Sequence, residues 1–153
     1  MDVKLRQIRE DIVIGGFSIE STGETYNKDL EVFYNDFTND GKMELLNNIT
    51  KNNHEYYAVT WYDEFTTKDF VWLLGQKINK NIDSLEIKII KKGEYAVCKF
   101  PPKYDSLKAW TELYAEGITG MGYKYIEENN IAFIHYSNGL DGEAEYWVLV
   151  EKM

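Results

Sequence analysis

A single cysteine, Cys98, in 153 residues excludes an intramolecular disulfide and any cysteine-built metal cluster. It stands in an apolar run between Ala96 and Phe100, where a buried, inert thiol is expected. Histidine is almost as scarce: His54 and His135 lie far apart, with no acidic or cysteine residue at ligand spacing. Neither a structural metal nor a cofactor is expected.

Long apolar runs are missing too. Nothing approaches the roughly 20 residues of a membrane-spanning helix, and residues 1–10 alternate charged with aliphatic side chains instead of forming a signal-peptide stretch. A cytoplasmic chain without a membrane partner is expected. Basic charge is short as well, 17 Lys and Arg against 26 Asp and Glu, for a net charge of -9. The one short basic run, Lys88 to Lys92, is interrupted by Ile89 and Ile90. Because affinity for a phosphate backbone comes from clustered cations, no direct nucleic-acid partner is expected. The acidic surface either concentrates organic cations around the chain or serves solubility alone.

Aromatic residues, by contrast, make up 15% of the chain, 12 Tyr and 4 Trp among them, more than a small core needs for packing. At this length one hydrophobic core is the default, so residues 1–153 read as one domain.

Residues 3–20 open in a strand pattern interrupted by Gly15-Gly16, which marks a bulge or close backbone approach and lacks the context of a phosphate loop. The period then changes. Leu30, Phe33, Tyr34 and Phe37 share one helix face, with Asn27 as cap and Asp40-Gly41 as the break. After a polar stretch at 47–53, strands at 55–62 and 69–78 form a hairpin. The order recurs: strands at 85–90 and 95–100, a helix from about 105 to 116, and a hairpin of 131–136 with 143–151 turning through Asn138-Gly139 and Asp141-Gly142.

Leu30, Phe33 and Phe37 match Leu107, Trp110 and Tyr114 at a constant spacing, and Trp61, Trp72 and Lys77 match Tyr136, Trp147 and Lys152 at another. The sequence therefore reads as an α+β fold of two pseudo-symmetric strand-helix-hairpin repeats, about 1–80 and 83–153, forming an antiparallel sheet with helices packed on it. No linker rich in Pro, Ser or Gly separates the halves, and the seam between them is a natural place for a pocket.

Gly93-Glu94-Tyr95-Ala96-Val97, the helix carrying Tyr104, Leu107, Trp110 and Tyr114, then Gly122-Tyr123 and Glu145-Tyr146-Trp147-Val148 together resemble the gyrase-inhibitory-protein-like, or AraC-type effector-binding, family. In the first half, residues 5–16, the helix at 30–37 and Leu74-Gly75 fit as well, so the resemblance covers the whole chain. It is nearest to the stand-alone integron-associated members, because no helix-turn-helix is read on either side of the domain. Two positions depart from the family pattern, Leu149 where proline is frequent and Gly117 where a tryptophan follows the second helix.

The resemblance implies a pocket for lipophilic cations of the multidrug kind, ringed by aromatics around a buried acid, as in the ligand domains of transcriptional regulators. It carries the acid to Glu145, which shares a strand face with Trp147, a face expected to look inward. Burial there would favour a cationic partner or a raised carboxyl pKa; the plainer reading is an exposed strand-end carboxylate. Trp110 and Tyr114 would form an aromatic wall facing Trp147, or would be simple core. Phe33, Phe37, Trp61 and Trp72 occupy corresponding places in the first half, with a stronger claim to plain packing, and Tyr95 would offer a hydroxyl. Tyr146 falls on the other face and is left out of the site. Asp63-Glu64 and Glu127-Glu128 read as solvated turn charges.

The leading expectation is thus a module that senses or sequesters a small, hydrophobic organic cation, with a protein partner as a further possibility. The family also contains hydrolases of cyclopropane-bearing and other reactive electrophiles, and in that alternative Glu145 would work with Tyr95 or Tyr114. No catalytic residue is assigned by sequence.

Overall fold

The computed structural model describes residues 1–126 and 131–153. Among the described residues nine strands run β1 Lys4–Ile8, β2 Ile12–Ser21, β3 Tyr56–Trp61, β4 Phe70–Lys77, β5 Glu86–Ile90, β6 Gly93–Phe100, β7 Tyr123–Tyr125, β8 Ala132–Tyr136 and β9 Ala144–Lys152. They form an antiparallel sheet in the order β1-β6-β9-β8-β3-β4-β2-β5, with β7 added on β9. The helices are α1 Tyr26–Asn39, α2 Lys42–Thr50 and α3 Ser106–Glu112, the last continuing as a π-helical stretch Leu113–Ile118. No helix among the described residues is long and apolar enough to cross a membrane.

The two halves are visible in this order. The unit β2, α1, β3, β4 recurs as β6, α3, β8, β9, and the edge strand of each half pairs with the other half, β1 on β6 and β5 on β2. The centre of the sheet is the β3–β8 pairing, where Tyr57 faces His135 and Ala58 faces Ile134. The halves thus share one continuous sheet, as the missing linker suggested.

Local chemistry explains the helices. Tyr26, Leu30, Phe33 and Phe37 are buried on one stripe of α1, and the Asp29 carboxylate in its first turn accepts hydrogen bonds from the Ser21 and Thr25 hydroxyls at 2.7 Å each. The helix begins at Tyr26 after Thr25, so Asn27 lies inside it rather than capping it. At α3 the Asp105 carboxylate caps the helix by accepting from the Lys108 backbone N–H at 2.9 Å.

The polar stretch 47–53 is largely the end of α2, a helix the sequence reading did not give, and its exit. Its polar residues serve a buried partner. Gln76, 1% exposed on β4, donates from Nε2 to Asn47 Oδ1, the Asn52 carbonyl and the Glu55 carbonyl, and accepts from Thr50 Oγ1. Leu46, wholly buried, anchors the same helix.

The sheet carries apolar residues on both faces. The helix side packs Tyr56, Ala58, Trp72, Leu74, Ala96, Cys98, Ile134, Tyr136, Tyr146 and Val148 against α1 and α3. The other side gathers Ile14, Tyr57, Val59, Leu73, Tyr95, Val97, Phe133 and Leu149, with Trp61 and Trp147 at its margin. Cys98 is buried as expected, and burial pushes its thiol pKa up.

The helix correspondence of the two halves fits this packing, but the hairpin correspondence is displaced by one residue. Phe70, Trp72 and Leu74 of β4 take the places of Ala144, Tyr146 and Val148 of β9, all on the helix side. Matching Trp72 to Trp147, on shared tryptophan identity, crosses faces, because a one-residue slip in a strand turns every side chain over.

Candidate functional site

On the helix side a cavity of about 700 Å³ opens between α1, the end of β6 and the β8–β9 hairpin. Helix α1 contributes Leu30, Tyr34 and Thr38, and Met43 of α2 closes one flank. Phe100 ends β6, Tyr104 comes from the β6–α3 connection, and Tyr136, Ala144 and Tyr146 form the floor from adjacent strands. The hairpin turn 138–142, in which Gly139 takes φ 85°, makes the opposite rim. Strand alternation accounts for the floor: Tyr136 pairs with Ala144 and Ile134 with Tyr146, so these side chains project together toward the helices.

The walls are layered aromatics. Tyr146 packs edge-on to Phe100 at 5.0 Å and to Trp110 at 4.7 Å, and Phe100 lies 4.9 Å from Tyr104. Tyr34 meets Trp72 edge-on at 5.5 Å, and Trp72 is held by Phe33 at 5.3 Å. Trp72 and Trp110 thus stand behind the tyrosines that line the cavity, with Phe33 behind Trp72 and Phe37 stacked on Phe33 one layer further in.

The polar groups at the floor are hydroxyls. Tyr34 and Tyr136 share a hydrogen bond of 2.9 Å. Nearby, Tyr26 and Ser106 share one of 2.7 Å, and the Trp110 indole N–H donates to Tyr26 at 3.2 Å. Burial pushes the Tyr146 phenol up to about 12, and raises Tyr26, Tyr34 and Tyr136 as well. These groups stay neutral at physiological pH. The carboxylates lining the cavity, Glu31 and Asp141, are both exposed at its mouth, together with Lys103. At the edge, the Tyr104 hydroxyl donates to both Glu112 oxygens, at 2.8 and 2.9 Å.

Glu145 lies on the opposite face of the sheet. Its Oε1 is 3.2 Å from His135 Nδ1, while His135 Nε2 is 3.0 Å from Glu55 Oε2. Tyr57 stacks on the imidazole with centroids 4.7 Å apart, and burial, followed by the two glutamates, pushes its phenol up to about 12. Glu145 is neither deeply buried nor free: its side chain is 26% exposed and paired. The carboxylates sit on opposite ring nitrogens and cannot converge on one ion; among the described residues no group of His, Cys, Asp or Glu is placed to hold a metal.

Two sequence expectations are thereby corrected. Glu145 and Trp147 do not look toward the helices, and Trp110 does not face Trp147. Trp147 stacks instead on Phe133 at 5.2 Å and meets Tyr95 at 5.9 Å on the far side. Trp61, also on that side, lies under Lys88 Nζ at 4.4 Å. The Tyr95 hydroxyl donates to the Lys91 carbonyl rather than toward Glu145, and Tyr114 packs on the helix side with Trp110 and Tyr125. The tyrosine partners expected for Glu145 are therefore replaced by His135 and Tyr57. Gly117 lies away from the cavity, where a Cβ would meet Val3 at 2.7 Å and Met1 at 2.9 Å. Of the paired acids, Asp63 accepts from the Phe65 N–H within its own turn, and Glu127-Glu128 lies outside the described residues.

Phenols kept neutral by burial make the fold sensitive to alkali. A tyrosine titrating near 10 when unfolded and near 12 when folded contributes stability that is complete below about pH 10 and lost as pH rises toward 12. The denaturation midpoint is expected to hold level from pH 7 to 9 and to fall steeply above about 10, together with the rise of phenolate absorbance. A midpoint unchanged up to pH 12 would contradict the burial of these hydroxyls.

The fold defines a class, that of small α+β domains with helices packed on one face of an antiparallel sheet. No protein-family model and no curated protein matches the chain in sequence. Its fold, however, is shared with solved structures of gyrase-inhibitory-protein-like domains, as the sequence resemblance implied. SAV2435, solved bound to tetraphenylphosphonium, superimposes with a TM-score of 0.77 at 12% identity, over 99% of this chain and 94% of that one. The C-terminal domain of EcmrR gives 0.61 at 15% identity, over 99% and 98%. An integron cassette protein from the mobile metagenome of Vibrio cholerae gives 0.64 at 13%, over 97% and 95%.

Proposed function

We propose that this chain binds small organic molecules with aromatic bodies, lipophilic cations among them, in the helix-side cavity. One observation carries the reading: a cavity of about 700 Å³, the size of known ligand pockets, walled by tyrosine and phenylalanine rings with carboxylates at its mouth. Ring faces attract a cation by about 0.5 to 2 kcal/mol each, and Glu31 and Asp141 raise its concentration at the entrance. The tetraphenylphosphonium held by SAV2435 supports this ligand chemistry, and the likeness to the EcmrR domain supports a sensing role within a regulator. In this reading Phe33, Phe37, Trp72, Trp110 and Tyr114 shape the cavity from behind, while Glu145 serves the opposite face.

Trp72 and Trp110 touch the lining tyrosines and report on occupancy. Titration with tetraphenylphosphonium is expected to change tryptophan fluorescence saturably. Replacing both rim acids, Glu31→Gln with Asp141→Asn, is expected to weaken binding by about twofold to fivefold, the range of exposed charge pairs, and to reduce its salt dependence. A flat titration would reject the reading.

A further inference from the structure

The charge at this site is at the mouth, whereas the floor is neutral and hydroxyl-lined. Tyr34 and Tyr136 carry two hydroxyl protons between them and share one hydrogen bond of 2.9 Å, which consumes a single proton. Among the described residues, no other protein acceptor stands within hydrogen-bonding reach of either oxygen. Tyr136 is 8% exposed and Tyr34 is half-buried, and both line the cavity, so the second O–H is available to a group that enters it. A buried donor gains most from a strong acceptor brought in by a ligand. With burial keeping both phenols protonated, that donor persists through the neutral range.

We infer that the Tyr34–Tyr136 pair is a specificity element selecting neutral aromatic molecules that carry a strong hydrogen-bond acceptor, inserted acceptor-first, in addition to cations. This rests on reading the helix-side cavity as the ligand site. The pair works as a unit: with either hydroxyl removed, the survivor still has one O–H to donate, so only loss of both abolishes the interaction.

The test compares two ligands of similar bulk, triphenylphosphine oxide, neutral with a phosphoryl acceptor, and tetraphenylphosphonium, which has no acceptor. Both are titrated against the native chain, Tyr34→Phe, Tyr136→Phe and the double variant, with thermal melting to confirm that each folds. The oxide is expected to bind the native chain and to lose about threefold to tenfold in the double variant, the range of one neutral hydrogen bond, with smaller losses in the single variants. The phosphonium, which makes no such bond, is expected to lose less than the oxide across the series, so that the ratio of oxide to phosphonium affinity falls in the double variant. Phosphonium binding without oxide binding overturns the inference and leaves the ligand site standing, as does oxide binding equal in native and double variant. Failure of both ligands to bind the native chain overturns the site itself and this inference with it.

Discussion

Gly16→Ala is expected to destabilise the chain by on the order of 3 kcal/mol, at the upper end of what overpacking costs. A Cβ at Gly16 would lie 2.1 Å from the Leu74 carbonyl oxygen and 2.6 Å from the Gly75 Cα. Both are backbone atoms of the neighbouring strand, so no side-chain rotation relieves the clash. The contact is reciprocal, since a Cβ at Gly75 would lie 2.3 Å from the Gly15 carbonyl oxygen, and Gly16 pairs directly with Gly75 in the β2–β4 register. The strands must separate, and β4 connects β2 to the centre of the sheet. For a domain of this size, roughly 2–4 °C in Tm per kcal/mol predicts a fall of about 6–12 °C. Gly23→Ala, where the added Cβ meets nothing within 4 Å, is the control and is expected to stay within about 0.5 kcal/mol of the native chain. Equal melting of the two variants would contradict the close approach of β2 and β4.

Ala144→Phe is expected to weaken tetraphenylphosphonium binding by more than about tenfold, or 1.4 kcal/mol, while leaving the fold intact. Ala144 sits on the cavity floor, paired across the sheet with Phe100 on one side and Tyr136 on the other. Ala144 lines the cavity, so a phenyl ring there takes space that the ligand would fill. A cavity of this size can accept a ring without the strain that enlargement causes in a close-packed core. Full retention of affinity in a folded variant would place the ligand elsewhere.

Much of the architecture was legible in the sequence because its periodicities are strong. The stripe Leu30, Phe33, Phe37 could only be a helix facing a core, and the apolar and aromatic runs on both sides of Asn138-Gly139 read as the strands of a hairpin. The opening segment was harder. Residues 3–20 read as one strand but form two, β1 and β2, which pair with opposite halves of the sheet. Nothing local to 9–11 signals that exchange. The three-residue strand β7 is too short for a period to show.

The site was less legible, for a specific reason. Both faces of the central strands are apolar, so alternation alone could not tell which face the helices cover. Trp147 and Tyr146 are equally good core residues, and the inward face rests on the resemblance, which carries the acid to Glu145 and with it the face of Trp147. The run Ala144, Tyr146, Val148, Val150 was the available signal, four small, aromatic or branched residues alternating with Glu145, Trp147, Leu149 and Glu151. The pairing of His135 with Glu145 was hidden differently: the two are ten residues apart, and only the hairpin register sets them opposite each other.

The central claim is that the ligand site lies on the helix side of the sheet, at the tyrosine floor rather than at Glu145. Calorimetric titration of tetraphenylphosphonium into the native chain, Ala144→Phe and Glu145→Gln tests it directly, since positions 144 and 145 are neighbours on one strand with side chains on opposite faces. Ala144→Phe is expected to lose binding and Glu145→Gln to keep it within about twofold, because the Glu145 side chain lies on the other face, paired with His135. Loss of binding in Glu145→Gln with full affinity in Ala144→Phe would contradict it and move the site to the other face.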